Sequence, residues 1–523
     1  MVHADENLYT CSQDTQEKIK KAVKEHGLNR VIVASCSPRT HEPMFRETIR
    51  EAGVNKFLFE MANIRDQCSW VHMRQKPEAT AKAKQLVRMA VANARLNSPL
   101  GETPVPVVQR GLVVGGGVAG MTAALCLAEQ EFEVFLVEKE DRLGGNLLRL
   151  RHTIDGGDVN AFLRDLIARV SEHSAIHVLL DSQVVDFSGV RGNFTSGVRT
   201  ASTGVDQEIQ HGITILATGA QEEKPEGYLY GEDPRVITQL ELEDRLDQTG
   251  GDPIGLQEVV MIQCVGSRNE KHPSCSRTCC ATAVKNALKL KKRNPAMNIR
   301  ILYRDIRTYG FLEAYYSQAR REGIVFDRYD PEAGPEIKKE GEALVVSFED
   351  KIVKERTTLK PDLVVLSSAS IPRENKELAN LLKVPRTAEG FFLEAHMKLR
   401  PVDFASDGIY VAGSAHAPKL IAESISQAYA AAARACTILS KDNLMVGGVV
   451  AVVDGERCAA CLTCVRVCPY DVPVVNVRGE AEIDIIQCKG CGTCAAECPA
   501  RAIDLMHFRT SQLEAKVGAL VEG

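Results

Sequence analysis

The chain has 523 residues, enough for about three to four domains. Hydrophobic residues make up 44% and charged residues 25%, a soluble globular balance, and a net charge of −5 gives no electrostatic case for nucleic acid or an anionic membrane. No apolar run approaches the ~20 residues of a membrane helix; the nearest, Met445 to Val453, is short and carries two glycines.

The N-terminus, Met-Val-His-Ala-Asp-Glu, is polar and acidic, unlike a signal peptide. Residues 1–95 read as a small α/β domain, with a helix around Asp14 to His26, a strand over Arg30 to Ala34, and further helix. Cys11, Cys36 and Cys68 are scattered through it. Cys36 stands at the end of a strand, a common ligand position. A fourth ligand would have to come from elsewhere, and His41 is one stand-in. Trp70, the single tryptophan, reads as packing. Pro99, Gly101, Pro104 and Pro106 give residues 96–109 the composition of a linker.

Residues 110–440 read as a nucleotide-binding domain. An apolar strand from Gly111 runs into Gly115-x-Gly117-x-x-Gly120, and an alanine- and leucine-rich helix follows. The first glycine permits the tight turn, the second lets backbone approach a pyrophosphate, and the third lets helix pack on strand. A second strand, Phe132 to Val137, ends in Glu138, where a carboxylate suits ribose hydroxyls. The segment Glu138 to Gly145, with its terminal Gly144-Gly145, resembles the extension found in two-dinucleotide flavoproteins such as the thioredoxin reductase family. Ile213 to Ala220, containing Thr218 and Gly219, and Asp407 to Gly413 resemble that family's later flavin strands. The resemblance implies FAD at this site. Ser414 stands where the family places the aspartate that holds the ribityl chain, so that contact is not carried over.

An inserted pyridine-nucleotide-like unit is expected over about 236–380. Its strand, Glu258 to Gln263, leads into Cys264-Val265-Gly266-Ser267-Arg268 instead of a glycine fingerprint. The pattern continues as Cys264-x10-Cys275-x3-Cys279-Cys280. Four cysteines in one loop fit a [4Fe–4S] cluster, with a redox dithiol, a vicinal disulfide or structural thiols as the alternatives.

After a linker at 441–448, residues 449–510 carry Cys458-x2-Cys461-x2-Cys464-x3-Cys468-Pro469 and Cys488-x2-Cys491-x2-Cys494-x3-Cys498-Pro499. This is the bacterial ferredoxin spacing, in which the fourth cysteine of each run ligates the other cluster. Cys458, Cys461, Cys464 and Cys498 are therefore expected around one [4Fe–4S] cluster, and Cys488, Cys491, Cys494 and Cys468 around the other. A pair of zinc knuckles is the weaker alternative. Residues 511–523 read as a tail. Thiolate-ligated clusters belong in reducing compartments, which points to the cytoplasm. No internal repeat is legible beyond the duplicated cluster motif.

Gln263 to Arg268 (QCVGSR), Cys275 to Cys280 (CSRTCC), Leu302 to Phe311 (LYRDIRTYGF) and Gly390 to Phe404 (GFFLEAHMKLRPVDF) resemble the heterodisulfide reductase A-subunit family, which includes flavoprotein subunits of sulfate reducers. Leu8 to Ile19, Val33 to Phe45 and Asn63 to His72 match it as well. The resemblance covers essentially the whole chain. Some members insert an extra ferredoxin unit, whereas Gly145 to Asp158 here lacks cysteine; members also usually begin with further sequence, so a shortened form or a fragment is expected.

The resemblance implies an α/β fold: a thioredoxin-reductase-like two-dinucleotide-binding (Rossmann-type) flavoprotein core, a small N-terminal α/β domain and a C-terminal 2[4Fe–4S] ferredoxin domain. It implies an oxidoreductase component that splits electron pairs at FAD into one-electron paths, by flavin-based bifurcation. One cluster would sit beside the flavin on Cys264, Cys275, Cys279 and Cys280. A fourth cluster in the N-terminal domain stays open. Lys285 would reach the flavin N5, against the plainer reading of a solvated lysine on a basic helix. The implied partners are other heterodisulfide reductase-like subunits, a hydrogenase- or dehydrogenase-type donor, ferredoxin as an acceptor, and a second copy in a homodimer. Two rivals differ in kind: an NAD(P)H-dependent enzyme like the glutamate synthase small subunit, which needs a second glycine fingerprint, and a non-catalytic electron-relay scaffold.

Overall fold

The computed structural model describes residues 1–248 and 255–521. The chain forms two compact units, one of residues 106–444 and the other of residues 1–105 together with 445–523.

The larger unit is built on two five-stranded parallel sheets of the same design. In the first the strand order is Ile409–Val411, Ile213–Leu216, Arg110–Val114, Glu133–Val137, Ile176–Leu179. In the second it is Val236–Thr238, Leu363–Ser368, Glu258–Val265, Asn298–Tyr303, Val325–Arg328. Each central strand is apolar along nearly its whole length, because a parallel sheet is covered on both faces. Leu112, Val113, Met261 and Ile262 have no exposed surface. Each sheet also sends out a three-stranded antiparallel excursion after the last strand in that order: 182–211 in the first, 336–359 in the second. The fold is thus duplicated where the sequence shows no repeat. Packing needs only apolar residues at equivalent positions, so the two copies are free to share no sequence. Two short antiparallel strands, Ala220–Glu222 and Ser370–Pro372, carry the chain out of the first sheet and back.

In the other unit, parallel strands Val31–Ser35 and Phe59–Asn63 pack Val33 and Phe59 against Phe45 and Ile49 of the Pro38–Glu51 helix. The cysteine-rich segment contributes two small antiparallel pairs, Ala451–Val453 with Ile503–Leu505 and Pro473–Val475 with Ala481–Ile483. The expected tail instead contains a helix, Thr510–Val521, which packs on the Lys76–Leu96 helix. Gln512 Nε2 donates to Asn97 Oδ1 at 2.8 Å and Lys516 Nζ lies 3.0 Å from Glu60 Oε1. The N-terminal and cysteine-rich segments, read from sequence as separate domains, therefore belong to one compact unit. The two expected linkers contain extended strands, Glu102–Pro106 and Asn443–Gly447. No helix is long and apolar enough to cross a membrane among the described residues.

Candidate functional site

The first sheet's glycine turn is constrained from both sides. Gly115 has φ +114°, and a Cβ there would lie 2.3 Å from the Ala217 carbonyl oxygen. At Gly120 a Cβ would come within 1.7 Å of the Gly115 oxygen, so the helix Val118–Ala128 can approach its strand only over glycine. Gly117, by contrast, caps that helix with open space beside it. This is the face on which a helix N-terminus receives a phosphate.

Glu138, nearly buried, accepts from the Gly116 N–H through Oε2 and from the Glu140 N–H through Oε1 at 2.9 Å. Gly144 folds back over the turn, its N–H donating to the Gly116 oxygen at 2.9 Å, and Gly145 stacks on Gly117. From the other strands, the Thr218 hydroxyl is buried with no hydrogen-bond partner. Gly219 faces the Ser414 hydroxyl, and Gly413 presses on Ala119 of the capped helix. The predicted nucleotide residues thus converge on one end of one sheet. An open helix terminus, a carboxylate and an orphaned hydroxyl are a donor and acceptor set that fits a dinucleotide.

At the matching place in the second sheet stands Cys264. Its backbone is left-handed, φ +63°, and the strand pairing slips between Ile262 and Val265. Cysteine here has a positive φ, as Gly115 does at φ +114°, and that is a strained geometry for a residue with a side chain. The loop then returns Cys275, Cys279 and Cys280 to the same place, the last two opening the Cys279–Arg293 helix. Cys279 and Cys280 are buried. A hydrogen bond from Cys279 pulls the Cys280 thiol down to about 7, with further help from Arg307 and Arg268. The same contact, added to burial and to Cys264 and Cys275, pushes Cys279 up. All four sulfurs therefore feel one another. The Arg277 N–H donates to Cys275 Sγ at 3.3 Å.

The eight remaining motif cysteines line two cavities. Cys458, Cys461, Cys464 and Cys498 share the first; Cys468, Cys488, Cys491 and Cys494 share the second. Each short helix between them starts from a left-handed residue, Leu462 or Gly492. Backbone N–H groups of Ala481 and Ala502 donate to Cys458 and Cys498 Sγ at 3.3 Å. Burial, then Cys488, Cys491 and Cys468, push Cys494 up to about 11. None of the seventeen cysteines is paired in a disulfide.

Residues 109–262 match the pyridine nucleotide-disulphide oxidoreductase family. The iron–sulfur A-subunit of a CoB–CoM heterodisulfide reductase from Methanopyrus kandleri is 37% identical, over 90% of this chain and 86% of the relative. The A-subunit of the H2:CoB–CoM heterodisulfide, ferredoxin reductase from Methanothermobacter thermautotrophicus is 36% identical, over 98% and 91%. The chain belongs to the heterodisulfide reductase A-subunit family. Among solved structures, thioredoxin reductase of T. acidophilum matches 64% of this chain and 98% of its own, with 16% identity and a TM-score of 0.44. As a homologue of these A-subunits with a pyridine nucleotide-disulphide oxidoreductase domain, the protein is an oxidoreductase.

Two further sets of residues were singled out from the sequence of this heterodisulfide reductase homologue, Lys285 and the N-terminal cysteines. Lys285 is not a solvated lysine: it is buried, with Nζ 2.6 Å from Glu243 Oε1 and 3.0 Å from the His152 oxygen. Burial pulls its pKa down against the opposing pull of Glu243. Glu243, fully buried, also accepts from the Arg151 N–H at 3.0 Å and so ties the inserted unit to the loop beyond Gly145. In the N-terminal region Cys68 is buried and its thiol donates to the Ala79 oxygen at 2.9 Å, while Cys11 is exposed. Among the described residues, no set of three or more His, Cys, Asp or Glu side chains closes around a single metal ion. Glu243, Arg277 and Glu423 were not singled out from sequence; their partners lie far along the chain, and no local pattern signals them.

Proposed function

We propose that the chain is the FAD- and iron–sulfur-carrying electron-splitting component of a heterodisulfide reductase-like complex. FAD exchanges electrons in pairs and [4Fe–4S] clusters take them singly, so the flavin is where pairs become singles. The carrying observation is the contrast between the two sheets: an open glycine turn on one and four mutually interacting cysteines at the same turn of the other.

Gly115, Gly117 and Gly120 shape the pyrophosphate cradle, and Glu138 accepts from the ribose. Gly144, Gly145, Thr218, Gly219, Gly413 and Ser414 close around the rest of the dinucleotide. Cys264, Cys275, Cys279 and Cys280 hold the cluster on the flavin side, with Arg268 and Arg307 offsetting thiolate charge. Residues 449–510 act as a two-cluster ferredoxin module, ligated in the crossed sets that line its two cavities. Lys285, stored against Glu243, controls charge and proton near the flavin. With clusters on the four-cysteine loop and on the ferredoxin module, the chain would offer two one-electron exits. Partner subunits would supply the donor and the disulfide chemistry, and ferredoxin would be the low-potential acceptor, a reading supported by the similarity to the A-subunit of an H2:CoB–CoM heterodisulfide, ferredoxin reductase.

Iron content of anaerobically purified protein tests this reading. Three clusters require about 12 iron atoms per chain and two require about 8. A value near 12 that falls by about 4 in Cys279→Ser is expected. A value near 8 in both proteins sinks the reading.

A further inference from the structure

Arg277 lies between the two halves of the four-cysteine loop with a left-handed backbone, φ +55°. Its N–H holds Cys275 Sγ, but its side chain leaves the loop. Nη2 donates to Glu423 Oε1 and to Tyr309 Oη, both at 2.7 Å, and Nη1 reaches the Pro418 oxygen at 3.5 Å. The guanidinium also stacks over the Tyr309 ring, 5.1 Å from its centroid. Tyr309 Oη donates to the same Glu423 oxygen at 2.9 Å. The other oxygen, Oε2, accepts the Leu420 N–H at 2.8 Å and so caps the Ile421–Leu439 helix. That helix is the next α-helix after the Gly413–Ser414 turn.

We infer that Arg277 is a positioning residue that couples the cysteine loop to the flavin-side turn, so that each senses the state of the other. The inference rests on the electron-splitting reading and adds its mechanical link. Only a planar fork with several fixed donors can serve a carboxylate, a phenol and a carbonyl while stacking on a ring, which lysine cannot. Beyond the clamp, Lys419 Nζ sits 3.3 Å from His416 Nδ1 and 3.2 Å from the Ala417 oxygen. Burial and the Arg277 charge together hold Lys419 down to about 8. A shift of the guanidinium therefore changes the charge beside the turn as well as its geometry.

The test uses the cofactor-loaded chain and Arg277→Met, Arg277→Lys and Glu423→Gln, with iron and flavin counted in each. The readouts are the flavin midpoint potential and hydrogen exchange of the Leu420–Ser424 amides, each measured with and without Cys279→Ser. With Arg277 present, Cys279→Ser should speed exchange at those amides. In Arg277→Met exchange should already be fast, with no further change on adding Cys279→Ser, and the flavin potential should be shifted. Arg277→Lys should not restore the wild-type potential. Equal acceleration by Cys279→Ser with and without Arg277, or an unshifted potential at full cofactor content, overturns the clamp. Should Arg277→Met lose iron, Glu423→Gln decides, since it leaves the Cys275 contact intact and must reproduce the shift. Wild-type iron near 8 instead of about 12 overturns the electron-splitting reading itself, and the clamp with it.

Discussion

The two parallel sheets of the larger unit share strand order, an antiparallel excursion and a left-handed residue at the first turn, yet they face different chemistry. At Gly115 the left-handed turn comes free of strain and leaves a helix terminus open to a phosphate. At Cys264 the same turn is kept at a conformational cost, and the space is given to sulfur. The comparison teaches that one topology can carry two different turns. What must change is the residue at the turn and the loop that returns to it.

The largest expected effect lies at the joint between the sheets. Glu243→Ala leaves the Lys285 ammonium buried without its partner and should cost about 3–5 kcal/mol in denaturant unfolding of the larger unit. The double change Lys285→Met with Glu243→Leu should recover most of that loss, and no recovery would show that the pair does not join the two halves.

Next comes the glycine turn. Gly120→Ala drives a methyl into the Gly115 oxygen, so flavin content should collapse and stability fall by about 1–3 kcal/mol. Normal flavin absorbance in this variant would remove the first sheet from the nucleotide site.

Acid should discriminate the halves as well. His211, fully buried beside the first sheet between Ser196 and the Ile213 oxygen, is held down to about 4 by burial, from 6.5. The unfolded chain then binds a proton that the folded chain does not, so stability is complete above pH 6.5 and falls towards pH 4. The loss should be about 2 kcal/mol at pH 5. His211→Asn should flatten this slope when unfolding is followed at pH 7 and pH 5.

The smallest effect sharpens the comparison most. Cys264→Gly restores the residue that the turn prefers, and should raise the stability of the metal-free protein by roughly 1 kcal/mol. Iron content should fall by about 4 atoms at the same time. A variant that gains stability and keeps all its iron would release Cys264 from the ligand set.

Much of the candidate site was legible because its residues sit close in sequence. The glycine fingerprint, Glu138, Gly144-Gly145 and the ferredoxin runs are local patterns whose spacing carries their chemistry. Lys285 was singled out but its buried partner Glu243 was not, because a salt bridge between two helices leaves no mark on either helix's own pattern. The helix at 510–521 was missed since its partner, the Lys76–Leu96 helix, lies at the other end of the chain. The duplicated fold was invisible for a related reason: strand order survives any exchange among apolar residues.

By itself the sequence determined the family, the nucleotide turn and the grouping of cysteines into motifs, because each rests on residue types at short fixed spacings. Only the tertiary structure decided that the second sheet repeats the first, that Cys264 takes a positive φ, and that Glu243 and Glu423 receive Lys285 and Arg277. Those outcomes depend on which distant surfaces meet when the apolar faces are buried, and packing of that kind has no local code.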